Sequence, residues 1–171
     1  MRFLLFRIRR LSDSDSFESV KDAPKIMIET IPLDSIERVV SLSLMLPEFH
    51  KPYSALVYKA RLAEVPHLIL IKRLDDQDVA FKVGYERKKD GSFYSWMGGV
   101  LPQARRKGIA LDLALEQERW AKAQGYRSIK FKTLNRHKKM LHFALGRGFD
   151  IIGVDAFPER GENRIWLEKE L

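Results

Sequence analysis

The stretch GGVLPQARRKGIALDLALEQERW (Gly98–Trp120) changes character midway, and its reading decides the rest. It opens as an apolar, strand-like segment with paired glycines and breaks at Pro102. Arg105, Arg106 and Lys107 follow, then Gly108, then a long helical pattern. The first four N–H groups of a helix have no internal partner, and the helix dipole places partial positive charge there. A phosphate at that end is bound by the main chain itself. Gly108 suits this use, because without a Cβ an anion can approach the backbone closely. The three basic side chains add long-range attraction. A Gly-Lys-Ser/Thr loop is absent and a single glycine makes no dinucleotide fingerprint, so neither nucleotide motif applies. A solvated basic turn is the competing reading.

The helix behind this mouth is amphipathic. Ile109, Leu113 and Trp120, with Ala110, Ala114 and Ala121, form one apolar face, while Asp112, Glu116 and Arg119 line the other. That face is core, and it holds the mouth still. Upstream, IMIETI (26–31) reads as a strand. A helix follows from Pro32 and Asp34 with Ile36, Val39, Val40 and Leu44 in step, and a second spans Tyr53 to Leu62. Strands at Leu68–Leu74 and Val79–Arg87 flank an acidic turn, and SFYSWMGGVL is a third strand. Downstream come a strand (YRSIKFKTL), a helix (NRHKKMLHFALGRG) and two strands (FDIIGVDAF and NRIWLEKEL). The order β-α-α-β-β-β-α-β-α-β-β predicts an α+β protein with a mixed sheet and helices packed on it.

The chain has 171 residues, long enough for one domain with a substantial core. Residues 1–25 read as an appendage ending in a polar linker, and residues 26–171 as the domain. The opening MRFLLFRIRRL is basic and apolar, but Arg7 and Arg9 interrupt it and no small-residue cleavage site follows, so we read it as retained. No apolar run approaches the roughly 20 residues that span a bilayer. Zero cysteines remove disulfides, thiolate nucleophiles and cysteine zinc sites together, and a cytoplasmic setting is expected. The net charge of +8 favours polyanionic partners such as phosphorylated cofactors. The histidines have no ligand spacing, so no metal is expected.

Val100-Leu101-Pro102-Gln103-Ala104-Arg105-Arg106-Lys107-Gly108-Ile109-Ala110 resembles the acetyl-CoA signature of the GNAT N-acetyltransferases, Val-x-Pro-x-x-Arg-x-x-Gly-x-Gly/Ala, at every specified position. The resemblance extends over Ile26 to Leu171 in element order, and is nearest to a bacterial subgroup with YSWMGGVLP, KTLNRHKKML and GENRIWLEKEL segments. It implies a central, largely antiparallel twisted sheet flanked by helices, and acetyl-CoA as co-substrate. Backbone groups at Val100 and Leu101 would then pair with the pantetheine arm. The amides of Arg105, Arg106, Lys107, Gly108, Ile109 and Ala110 would hold the pyrophosphate, and the strand carrying Tyr94 would splay from its neighbour.

The family's last helix usually carries Asn-x-x-Ala-x-x-x-Tyr-x-x-x-Gly-Phe, its Asn on the cofactor arm and its Tyr as the acid for the departing thiolate. Here Asn135 and Gly148-Phe149 are present, two residues further apart, and no tyrosine lies between. Counting from Asn135 gives His142 as a candidate acid, and a surface histidine as its alternative; counting back from Gly148 gives Ala144. Met140, Leu141, Ala144 and Leu145 are expected in the core, and the Arg136–Lys139 cluster near the CoA 3′-phosphate or in solvent. On the acceptor side Glu86 and Tyr94 are candidates for catalytic roles, each with an ordinary structural role beside it. Phe49, Tyr53, Tyr58, Tyr85, Tyr94 and Trp96 are candidate pocket linings. Gly98 and Gly99 mark a bulge or a close ligand approach.

The expected activity is acetyl transfer to a primary amine by direct attack in a ternary complex. Expected partners are a small-molecule, protein or peptide amine and a second copy of the chain, with no membrane among them. A non-catalytic acyl-CoA-binding module is the alternative. A basic nucleic-acid or ribosome binder is disfavoured by the interspersed acidic residues and the absence of RNP or helix-turn-helix patterns.

Overall fold

A computed structural model describes residues 26–171; the appendage expected over residues 1–25 lies outside the described residues. Seven strands form one sheet: β1 (Ile26–Thr30), β2 (His67–Leu74), β3 (Gln77–Tyr85), β4 (Ser92–Val100), β5 (Ser128–Leu134), β6 (Asp150–Asp155) and β7 (Arg164–Glu170). Their spatial order is β1-β2-β3-β4-β5-β7-β6. Four α-helices connect them: α1 (Glu37–Leu44), α2 (Ala55–Leu62), α3 (Ile109–Ala123) and α4 (Lys138–Leu145). The α+β order expected from the sequence is the order found.

Both faces of the sheet are covered, which explains why Leu68, Ile69, Leu70 and Ile71 are all buried in succession without polar alternation. One core lies under α3 and α4, with Leu68, Leu70, Phe93, Ile109, Leu113, Ile129 and Leu167. The other lies under α1 and α2, with Ile36, Val39, Tyr58, Leu62, Ile69, Ile71, Phe81, Tyr85 and Tyr94. Burying a side chain of this size stabilises the fold by roughly 1.5–3 kcal/mol, so the two clusters hold the helices to opposite faces.

Every strand pair is antiparallel except β4 with β5. That pair is joined by the α3 crossover, as parallel neighbours must be. It is also brief: Ser92, Phe93 and Tyr94 pair with Ser128, Ile129 and Lys130, and no further pairing follows. Beyond Tyr94 the two strands separate, β4 staying with β3 as far as Val100 and β5 with β7 as far as Leu134. A V-shaped opening results in the middle of the sheet.

The expected bulge exists but not at the glycines. Gly84 pairs with Ser95 and Val83 with Met97, so Trp96 is the extra residue in β4. Gly99 serves packing instead. A Cβ there would collide with the Leu46 side chain, and a Cβ at Gly98 would come 3.3 Å from the Phe81 carbonyl oxygen.

Candidate functional site

The opening between β4 and β5 has one side facing α3 and α4 and another facing α1 and α2. On the first side, the segment between β4 and α3 is not helical from Arg106, as the sequence pattern suggested; α3 begins at Ile109. The cause is backbone conformation. Arg106 has φ +62° and Gly108 φ +76°, both left-handed. Successive turns of this kind point neighbouring N–H groups into a shared concavity that suits an anion. A left-handed arginine costs about 1–2 kcal/mol, and such outliers cluster at functional sites. The amides from Arg106 through Leu111 have no backbone acceptor among the described residues. Gly108 has nothing within 4 Å of where a Cβ would stand, so conformation rather than crowding demands glycine.

The mouth is anchored from below. Lys72 is only 4% exposed, and its Nζ donates to Asp112 Oδ2 at 2.8 Å, tying the first turn of α3 to β2. The Asp112 amide in turn donates to the Gly108 carbonyl at 3.0 Å.

The basic side chains divide. Arg106 and Lys107 are exposed and form no ion pair among the described residues. Arg105 is already engaged: its Nε donates to the Val100 carbonyl at 2.9 Å and its guanidinium grips Glu48. That contact holds the Glu48 carboxyl below its usual range, and Arg105 acts as a brace. Leu101 also departs from expectation. Its N–H donates to Val79, its carbonyl accepts from Ala104, and its side chain is buried. By antiparallel alternation, the main-chain groups turned from β3 toward the opening are those of Gly98 and Val100, and the Val100 carbonyl already holds Arg105.

Between α3 and α4 lies a small cavity whose lining includes Lys82, Ser95, Gln117, Met140, Phe143 and Arg147. Its deep end is polar. Gln117 is fully buried, yet neither its amide nitrogen nor its oxygen has a partner among the described residues. Lys82 projects from β3 across Gly98. Its acidic neighbour Glu118 is bound instead to Arg147 at 2.5 Å and Lys169 at 2.8 Å. Desolvation pulls the Lys82 ammonium down to about 8, with Glu118 opposing and Arg147 adding to the shift. Strand alternation alone reads Lys82 as a solvated position, so nothing in the sequence singled it out.

His142 is not part of this cavity. It is exposed, on the side of α4 opposite Met140 and Phe143. Ala144 is buried as expected and Leu141 packs against the core, whereas Leu145 is exposed and Met140 borders the cavity. Helix α4 is short, beginning at Lys138, because Asn135 and Arg136 belong to a loop. Asn135 Nδ2 donates to the Arg160 carbonyl at 3.1 Å and its Oδ1 accepts from Lys138 at 2.8 Å. Arg136 pairs with Glu162. Asn135 therefore fastens a hairpin rather than facing the opening.

On the second side, the aromatic residues singled out in the sequence converge. Tyr53, Tyr58, Tyr85 and Trp96 pack in one group, edge-to-face or tilted, with contacting centroids 4.9–6.3 Å apart. Tyr94 joins through Tyr85 at 5.7 Å and Trp166 at 6.0 Å; Phe49 packs on Phe81 nearby. Tyr94 and Trp96 share a face, as their parity required. Burial pushes the Tyr58 hydroxyl up to about 12 and raises that of Tyr94, the latter opposed by Arg87, so both stay protonated. Glu86 lies elsewhere: its amide donates to Pro66 at 2.8 Å and its charge acts on Tyr126, which packs in the α3-side core. Among the described residues no group of three or more His, Asp or Glu side chains is arranged to hold a metal, and no helix is long and apolar enough to cross a membrane.

A seven-stranded mixed sheet opened between β4 and β5, with a helix N-terminus at the opening, is the fold of the GNAT acetyltransferases. Three solved structures carry that comparison. The ribosomal-protein-S18-alanine N-acetyltransferase of Escherichia coli superposes with a TM-score of 0.74 at 12% identity, over 85% of this chain and 94% of that one. Arabidopsis thaliana Naa50, in complex with the bisubstrate analogue CoA-Ac-MVNAL, gives 0.71 at 17% identity over 85% and 99%. A GNAT-family acetyltransferase of Streptococcus pneumoniae gives 0.68 at 12% identity over 86% and 100%. Neither a protein-family model nor any curated protein matches the sequence.

Proposed function

We propose that this chain is a cytoplasmic, acetyl-CoA-dependent N-acetyltransferase that moves an acetyl group to a primary amine in a ternary complex. The observation that carries this reading is the pair of left-handed residues, Arg106 and Gly108, ahead of α3, with unpartnered amides from Arg106 to Leu111. A diphosphate satisfies those donors as nothing else nearby does. Arg106 and Lys107 steer it, and the outward groups of Gly98 and the Val100 amide receive the pantetheine arm as an added strand. The thioester then enters the opening beside Trp96 and Gly98, where the unpartnered amide of Gln117 and the ammonium of Lys82 lie at the cavity's deep end.

The acceptor comes from the α1–α2 face, against Tyr94 and Trp96. Its nitrogen attacks the thioester carbonyl, a C–N bond forms, and the C–S bond breaks. Lys82 gives its proton to the departing sulfur and regains one, through water, from the positively charged nitrogen of the adduct, which leaves a neutral amide. A lysine held near 8 is matched to a thiol, whose ordinary value lies around 8.5. In this reading Lys82, rather than the exposed His142, is the acid. Tyr94, kept protonated, donates a hydrogen bond on the acceptor side. Free thiol released from acetyl-CoA in the presence of an amine panel tests the reading. Thiol release with an amine supports it, whereas tight CoA binding with no turnover on any amine would mark a binding module instead.

A further inference from the structure

The α1–α2 face of the opening carries, besides its aromatic rings, an unusual set of cations. The Arg61 guanidinium stands 4.4 Å from the Trp96 ring centroid. Arg87 stands 4.9 Å from that of Tyr94 and 5.2 Å from that of Trp166. The Lys132 ammonium stands 5.0 Å from Trp166. These groups come from α2, the β3–β4 turn and β5, and they flank the opening from both sides: Trp96 belongs to β4, while Lys132 and Trp166 are paired across β5 and β7.

An exposed cation on a ring gains about 0.5–1 kcal/mol, which accounts for any one of them. It does not account for their convergence, since like charges within a Debye length of roughly 8 Å repel. The repulsion is visible at Lys132, whose ammonium is lowered first by desolvation and then by Arg164, Arg87 and Arg61, with Asp155 alone opposing. Asp155 is itself held by the Trp166 indole N–H at 2.9 Å. Among the described residues none of Arg61, Arg87 and Lys132 is within ion-pair distance of a carboxylate.

Resting on the acetyltransferase reading, we infer that the acceptor is an amine bearing a carboxylate, whose apolar part stacks on Trp96 and Tyr94 while Arg87 and Lys132 hold the carboxylate and Arg61 closes the charge. A guanidinium is planar and offers several N–H donors, which suits bidentate contact with a planar carboxylate. The positive field on this face also speeds capture of an anionic substrate.

The test uses full-length protein loaded with CoA or acetyl-CoA, and three acidic amines: glutamate, alanyl-glutamate and alanyl-alanyl-glutamate, each beside its fully amidated counterpart, which lacks carboxylates. Binding is read from tryptophan fluorescence in a Trp120→Phe background, which leaves only Trp96 and Trp166, and turnover from thiol release. At least one acid should bind or react about 10-fold better than its amide. Arg87→Gln and Lys132→Gln should each raise its KM about 10-fold with little change in kcat, Arg87→Lys should restore part of the loss, and the amide lacking the carboxylates should not respond. Acid binding without turnover keeps this inference and removes the acetyl-transfer reading. Turnover equal for acids and amides keeps acetyl transfer and overturns this inference, as does the absence of both binding and turnover with every acid.

Discussion

The two faces of the β4–β5 opening are built by different means. The α3 side presents main chain: the amides of Arg106 to Leu111, set by two left-handed residues and braced through Lys72 and Asp112. The α1–α2 side presents side chains: Tyr94, Trp96 and Trp166 under Arg61, Arg87 and Lys132. A backbone seat tolerates most surface substitutions and suits a constant donor. A side-chain surface can be altered one residue at a time and suits a particular acceptor. Substitutions on the first side should therefore act on cofactor affinity or the chemical step, and those on the second on acceptor KM.

The largest effect should come from Lys82→Met. If Lys82 supplies the proton, turnover at saturating substrates falls about 10²–10³-fold. In the parent protein activity declines as pH rises through about 8, because the acid is lost; in the variant that alkaline limb disappears. A depressed lysine is also a stability cost below its folded value, relieved as pH rises toward the unfolded value. Lys82→Met should thus raise Tm at neutral pH by about 2–4 °C per kcal/mol relieved, while lowering kcat. Unchanged kcat with a retained alkaline limb would remove Lys82 from the chemistry.

Next comes Gly108. Glutamate there combines left-handed strain with a charge facing the diphosphate, and acetyl-CoA affinity should drop about 100-fold in calorimetry. Alanine meets no neighbour within 4 Å, so only the strain of about 1–2 kcal/mol remains and the loss should stay near 10-fold. Equal losses for the two would mean that charge at the mouth is irrelevant.

The brace predicts an asymmetry. Asp112→Asn leaves the nearly buried Lys72 without a countercharge and should cost about 2 kcal/mol in denaturant unfolding, whereas Lys72→Met should cost less, its partner being 45% exposed in the side chain. The smallest effect belongs to His142→Phe. Exposed and outside the cavity, it should leave kcat and the pH profile unchanged within about twofold.

These contrasts also explain what could be read from sequence. The mouth was legible because its parts are contiguous: break, basic run, glycine and apolar helix face lie within Gly98–Trp120, and local backbone devices leave local signatures. The element order was legible because each strand and helix carries its own periodicity and punctuation. The start of α3 was misplaced because the left-handed state of Arg106 has no residue signature; arginine is an ordinary helix former. Leu101 and Asn135 were placed at the cofactor by position in a pattern, but their polar groups are committed to Val79, Ala104, Arg160 and Lys138. Lys82, Arg87 and Lys132 left no signal because their significance arises only when distant strands meet. Lysine at an alternate strand position reads as solvated until α3 and α4 cover it.

The claim on which the rest depends is that exposed amides at the β4–α3 junction seat the diphosphate of CoA. Amide chemical shifts recorded while CoA is titrated into isotopically labelled protein test it most directly. The account predicts the largest shifts at Arg106, Lys107, Gly108, Ile109 and Ala110, saturating together with CoA and reduced in Gly108→Glu. Saturable CoA binding that leaves these amides unmoved and shifts another region instead would contradict it.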